Sequence, residues 1–254
     1  MSAADVRLDG RPLDGPPLDG QRVVVVGGTS GMGRATARAA AAAGAEVISA
    51  SRRPAPARDS TAGVTHAIVD VTDESSVQAL FAGLERVDHL FVSASPGRPG
   101  ALRDQELATA RSFVDGKLLG TWLCARYAAP VMAAGGSMTF ITGVAAVRPP
   151  GNAALVTAAF AAVEALAPAL ALELAPVRVN VIRPGYTDSE MWAGLGDAAR
   201  DDLRARVSAA MPVRRMGTPE DIAHAALFLM TSPQTTGIVL EVSGGESLVD
   251  RLAA

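Results

Sequence analysis

The sequence predicts an α/β fold: a doubly wound parallel sheet with helices on both faces. Three observations predict it. Short apolar, β-branched runs recur along the chain. Each is separated from the next by a longer helix-compatible segment. The first run ends in a glycine-rich loop that opens directly into an Ala-rich segment. Strands that are apolar throughout, alternating with helices, are buried on both faces, which is the signature of a covered parallel sheet.

In chain order, RVVVV from Arg22 reads as the first strand, GGTSGMG (27–33) as the loop, and RATARAAAAAG as the first helix. EVISA and, after a Pro-rich loop, THAIVD are strands; SSVQALFAGLE is a helix and HLFVSA a strand. The stretch 104–132 is helix-compatible. SMTFIT is a strand, and 152–175 is a long helix despite Pro168. RVNVI, PEDIAHAALFLM and GIVLEV complete the pattern as strand, helix and strand. Residues 21–254 therefore read as one domain. Residues 1–20 stand apart: LDG occurs there three times, and that density of Gly, Pro and Asp predicts a disordered tail.

At 254 residues the chain is long enough to bury a core without staples. A net charge of −3 offers no basic stripe, which argues against nucleic acid. No uninterrupted apolar run has the ~18–20 residues that span a bilayer, and the N-terminus lacks the plan of a signal peptide. Cys124 is the single cysteine and reads as a buried structural thiol, which fits a reducing cytoplasm. His66, His89 and His224 lack metal-site spacing and read as structural, so no metal is expected.

The loop between the first strand and helix points to phosphate. Gly27 allows a sharp turn, Gly31 a close approach of the backbone to phosphate, and Gly33 tight helix–strand packing. Thr29, Ser30 and Met32 complete the ring, and the helix N-terminus presents free N–H groups to a pyrophosphate. The expected ligand is a dinucleotide in a Rossmann-type site. The second strand ends in Ser51-Arg52-Arg53. An NAD site usually carries Asp or Glu there for the ribose 2′-hydroxyl, whereas arginines suit a 2′-phosphate. NADP(H) is therefore favoured over NAD(H), with solvated arginines as the alternative.

From about Arg22 to Leu248 the chain resembles the short-chain dehydrogenase/reductase family. Gly27-x3-Gly31-x-Gly33 resembles that family's glycine motif, with Val26 in place of Thr. Asp70-Val71 resembles its adenine-contacting pair. ALALELAPVRVNVIRPGYTDSEM, PVRRMGTPEDIAHAALFLM and VLEVSGG resemble its later segments. The resemblance implies a seven-stranded doubly wound sheet, cofactor contacts from Pro184, Gly185, Thr187 and Ser189 near the nicotinamide, and Ser93-Ala94 on the segment after the fourth strand. It also implies a homodimer or homotetramer through the fourth and fifth helices.

The family's catalytic positions hold other residues. Gly143 stands on its Ser, Val156 on its Tyr, Phe160 on its Lys and Lys117 on its Asn. Val156 and Phe160 cannot move a proton, a service typically worth about 10²–10⁴ in rate. Lys117 is the sharpest substitute, Tyr186 and Thr142 are further candidates, and Arg148 could hold an anionic substrate. The alternatives are a solvated or ribose-binding Lys117, a packing role for Tyr186, a strand-end role for Thr142 and a solvated Arg148. Met191, Trp192 and Leu195 suggest a lid over an apolar small molecule, or simply lid packing. Three functions remain open: an NADP(H)-dependent oxidoreductase with an unusual proton donor, a catalytically inactive cofactor-binding or scaffold subunit, and a non-redox cyclase or isomerase.

Overall fold

The computed structural model describes residues 17–54, 61–95, 97 and 100–249. Strands β1 (Arg22–Val26), β2 (Glu46–Ser51), β3 (Val64–Ile68), β4 (Val87–Val92), β5 (Met132–Ile141), β6 (Arg178–Pro184) and β7 (Val239–Val242) form one seven-stranded sheet. Its order is β3-β2-β1-β4-β5-β6-β7 and every pairing is parallel. The expected fold class is thus the observed one. The order reverses between β1 and β4, and in such sheets ligands bind in the crevice beyond the carboxyl ends of the strands at that switch point.

The uniform valines of β1 follow from double burial. Val24 and Val26 pack on one face with Leu90, Phe140 and Val163; Val23 and Val25 pack on the other with Phe91, Ile182 and Leu229. The helices α1 (Gly31–Ala42) and α7 (Pro219–Thr231) pack against one another, and α7 starts cleanly because Thr218 and Asp221 form a capping box ahead of Pro219. The other helices are α2 (Glu74–Ala82), α3 (Leu107–Val114), α4 (Gly120–Ala128), α5 (Ala154–Glu173) and α6 (Asp197–Ala210). By length and hydropathy α5 could cross a membrane, yet it buries Val156, Ala159, Val163, Ala167 and Leu170 inside the protein.

Three expectations need correction. Leu18, placed by sequence in a disordered tail over 1–20, is fully buried in the α1/α7 core and its N–H reaches the Ala43 carbonyl at 2.8 Å. Residues 1–16 lie outside the described residues. The helix-compatible stretch 104–132 is helical from Leu107 to Val131, but as α3, a π turn (Asp115–Leu119) and α4, ending in a short 3-10 turn at Ala129–Val131. The helix α6 was not anticipated. Its alternating charges pair one turn apart, Arg204 with Asp201 and Arg206 with Asp202, which stabilises an exposed helix with little apolar face.

Candidate active site

Every residue assigned from sequence to cofactor or catalysis lines one cavity of about 1410 Å³ at the carboxyl ends of the strands. One end is built largely of backbone. Gly27 turns the chain at φ +90°. At Gly33 a Cβ would collide with the Gly27 carbonyl and lie 2.6 Å from Ser93 Oγ, so only glycine lets α1 sit this close to β4. Ser93 Oγ in turn donates to the Val26 and Gly27 carbonyls at 3.3 and 3.4 Å, and the Ala94 N–H donates to Val26 at 3.2 Å. Ser30 caps α1 without a side-chain hydrogen bond, so its hydroxyl leaves the first-turn N–H groups to other acceptors. Thr29 is tied by its hydroxyl to Ser51 Oγ at 2.8 Å.

The outer end of the cavity carries charge. Arg52 and Arg53 are exposed at the end of β2, and neither guanidinium has a hydrogen-bond or ion-pair partner among the described residues. Asp70 holds its own loop, accepting from the Thr72 N–H and hydroxyl at 2.9 and 2.7 Å. Val71 is buried against Gly120, where a Cβ would come within 2.9 Å of it. Such a surface fits a dinucleotide: N–H donors at a helix N-terminus for a pyrophosphate, two cations for a further phosphate and apolar Val71 for an aromatic base.

The other end is built of side chains. Lys117 sits in the π turn, is fully buried and donates from Nζ to the Ile141 carbonyl. Its ammonium lies 5.4 Å from the centroid of the Phe160 ring, which faces it from α5. Burial pulls its pKa down from 10.5 to about 8. Single π turns inside α-helices recur at functional sites, because the extra residue re-aims the side chains around it. Phe160 also packs against Gly143, where a Cβ would meet the ring at 2.9 Å. Phe113, Val156 and Ala159 extend this apolar wall.

The remaining candidates are otherwise engaged. Thr142 Oγ1 donates to Glu164 at 2.8 Å; Glu164 pairs with Arg183, which also pairs with Glu241. That hydroxyl belongs to a buried charge network, so Thr142 is corrected to a structural role. Arg148 is corrected likewise: its guanidinium donates to the carbonyls of Glu246 and Val249 and holds the C-terminal segment over the cavity. Lys117 is buried, which removes the solvated alternative for it and leaves the ribose-binding one. Tyr186 stacks on Trp192 with ring centroids 6.1 Å apart, and Trp192 Nε1 donates to the Thr187 carbonyl at 2.8 Å. These two rings wall the cavity beside Pro184, Gly185, Thr187 and Ser189. Leu195 is largely exposed, and the Met191 side chain lies outside the described residues.

Sequence reasoning missed Glu190 and Phe113. Both line the cavity; Glu190 follows Ser189 in the segment RPGYTDSEM, and Phe113 precedes the π turn. Cys124 is fully buried, and burial pushes its thiol up to about 12, so it is inert. His89 is buried between Ser137 Oγ and Gln21 Oε1 at 2.8 and 2.7 Å. No cluster of metal-ligating side chains occurs among the described residues.

Residues 26–247 match the family model described as enoyl-(acyl carrier protein) reductase. The chain belongs to the short-chain dehydrogenase/reductase family. It is 33% identical over 249 residues to the short-chain dehydrogenase/reductase ucsE of Acremonium sp, covering 88% of this chain and 94% of that protein. It is similar to the crystal structure of a small-chain dehydrogenase in complex with NADPH, at 32% identity and TM-score 0.76 over 89% of this chain and 98% of that one. It is also similar to the MalC Reductase/Diels-Alderase of Malbranchea aurantiaca, at 29% identity and TM-score 0.82 over 92% and 98% of the two chains.

Gly143 and Phe160, which the sequence sets against the family's Ser and Lys, lie in direct contact. A serine at 143 would have to share space with the Phe160 ring. The Lys117 ammonium enters from the π turn and lies over the Phe160 ring.

Proposed function

We propose that this protein is an NADP(H)-dependent oxidoreductase acting on the carbonyl or alcohol of a small apolar substrate, with Lys117 as the proton donor. The observation that carries the reading is the buried Lys117 ammonium in the cavity wall, facing the ring that replaces the family lysine. The bound dinucleotide supplies or accepts the hydride. The loop Gly27–Gly33 with the first turn of α1 binds the pyrophosphate, Arg52 and Arg53 bind the 2′-phosphate, and Asp70-Val71 frame the base. Phe113, Val156 and Phe160 exclude water and hold an apolar substrate. Lys117 has three N–H bonds and spends one on Ile141, so others remain to hold the substrate oxygen. An ammonium with its pKa near 8 is a stronger acid than an exposed lysine and is still charged at neutral pH, so it can give a proton to a developing alkoxide. Tyr186 serves as an aromatic wall. In the same reading the chain works as a homodimer or homotetramer through α4 and α5, whose outer faces carry the exposed Trp122 and Leu172.

The test is a titration of the purified protein with NADPH and with NADH, followed by a panel of ketones. NADPH should bind more tightly, and replacing Arg52 and Arg53 together by Ala should cost about tenfold or more of that preference, since charge-assisted bonds to phosphate are lost. Equal affinities in the wild type would overturn the phosphate assignment. A second reading rests on the filled space at Gly143: a protein without the family's acid could use its apolar end for a cyclisation or isomerisation, or bind cofactor without turnover. Product formed without any change in NADPH absorbance would favour that second reading.

A further inference from the structure

One N–H of the helix terminus that would face a dinucleotide pyrophosphate is already taken. The Gly31 N–H, at the start of α1, donates to Glu190 Oε2 at 2.9 Å. The other oxygen of the same carboxylate pairs with the guanidinium of Arg34, one turn further along α1. Gly31 holds φ +48°, and a Cβ there would touch only Glu190 and Ser189, at 3.5 and 3.6 Å. The segment that follows β6 thus lies directly on the glycine loop, 159 residues away in sequence. A carboxylate and a phosphate are interchangeable acceptors at a helix N-terminus, because both supply negative oxygen to the same N–H groups and the same dipole end.

We propose that Glu190 is an internal competitor for the pyrophosphate. It occupies the anion position at Gly31 and Arg34, and it ties the turn Glu190–Leu195 to the glycine loop at the cavity wall. One N–H cannot serve both acceptors, and a carboxylate beside a diphosphate is repelled, so dinucleotide entry displaces Glu190. Arg34 then exchanges a carboxylate partner for a phosphate, which offsets part of the cost. Displacement loosens a turn that carries Trp192 from its contacts with Tyr186 and Thr187. Cofactor arrival and opening of the substrate end are thereby one event. Cofactor affinity is set by Glu190 as well as by the glycine loop. The inference rests on the dinucleotide reading of the cavity.

The test compares two ligands on the wild type, Glu190→Gln and Glu190→Ala. NADP⁺ carries the pyrophosphate; adenosine 2′-monophosphate carries the base and 2′-phosphate without it. Removing a charge-assisted acceptor from Gly31 and Arg34 should tighten NADP⁺ binding about tenfold in both variants. Adenosine 2′-monophosphate should bind all three proteins alike, which a general disturbance of the fold would not allow. If the wild type binds NADP⁺ and neither variant binds it more tightly, the competitor is refuted and the cofactor site stands. If none of the three binds NADP⁺, the dinucleotide reading fails and the competitor with it.

Discussion

The wall of the cavity made by β1, β2 and the glycine loop is mostly backbone, whereas the wall made by β5, α5 and the π turn is mostly side chain. The difference decides what each can lose. In the first wall the N–H groups come with the helix terminus, and glycines are required by contact: a Cβ at Gly33 would run into the Gly27 carbonyl and Ser93. No single substitution rewrites such a surface without breaking the packing that positions it. In the second wall the chemistry hangs on side chains, and those have been exchanged. Phe160 fills the space beside Gly143, and Lys117 brings in an ammonium from the π turn. A phosphate-binding end can therefore persist while the proton-transfer end is rebuilt around it.

Two changes sharpen that contrast. The larger effect is in pH. Lys117 titrates near 8 in the folded protein and near 10.5 when exposed. Between those values the unfolded chain holds a proton that the folded chain has released, so stability rises with pH across that window. Below it both states are charged, and the cost of burying the ammonium is fully present. Relative to Lys117→Met, the wild type should gain about 3 kcal/mol of unfolding free energy between pH 7 and pH 10.5, measured by urea melts at each pH. Parallel curves for the two proteins would show that Lys117 is hydrated. The smaller effect is steric. Gly143→Ser should destabilise the protein by about 1–3 kcal/mol through overpacking against Phe160, and Gly143→Ser with Phe160→Ala should recover part of that loss. Thermal melts of the single and double variants check this. A neutral single variant would mean that the ring moves aside freely and that the second wall is not packed as described.

Much of the first wall was legible in the sequence, because it is local. Strand, glycine loop and helix are contiguous, and the valines of β1 announce double burial without further information. The second wall was legible only as a set of losses. That the Phe160 ring leaves no room for a side chain at 143 depends on β5 lying against α5. That Lys117 is buried rather than solvated depends on a π turn, which the helix-compatible stretch 104–132 does not reveal. Leu18 looked like part of a turn-rich tail because its partner, Ala43, lies beyond the first helix. Glu190 carried no signal: it is one acid in a lid segment, and its meaning comes from Gly31, 159 residues earlier. The helix α6 could have been read from its Asp–Arg pairs spaced three and four apart, a pattern that periodicity of apolar residues does not detect.

The account stands or falls on whether Lys117 supplies the proton. With a ketone that the wild type reduces, NADPH consumption should be measured for the wild type and Lys117→Met, together with NADPH affinity for each. Turnover should fall by about 10²–10⁴ while NADPH affinity stays within about threefold, because the ammonium would serve the reaction and the glycine loop would still hold the cofactor. Undiminished turnover in Lys117→Met would contradict the account and place the proton donor elsewhere in the cavity.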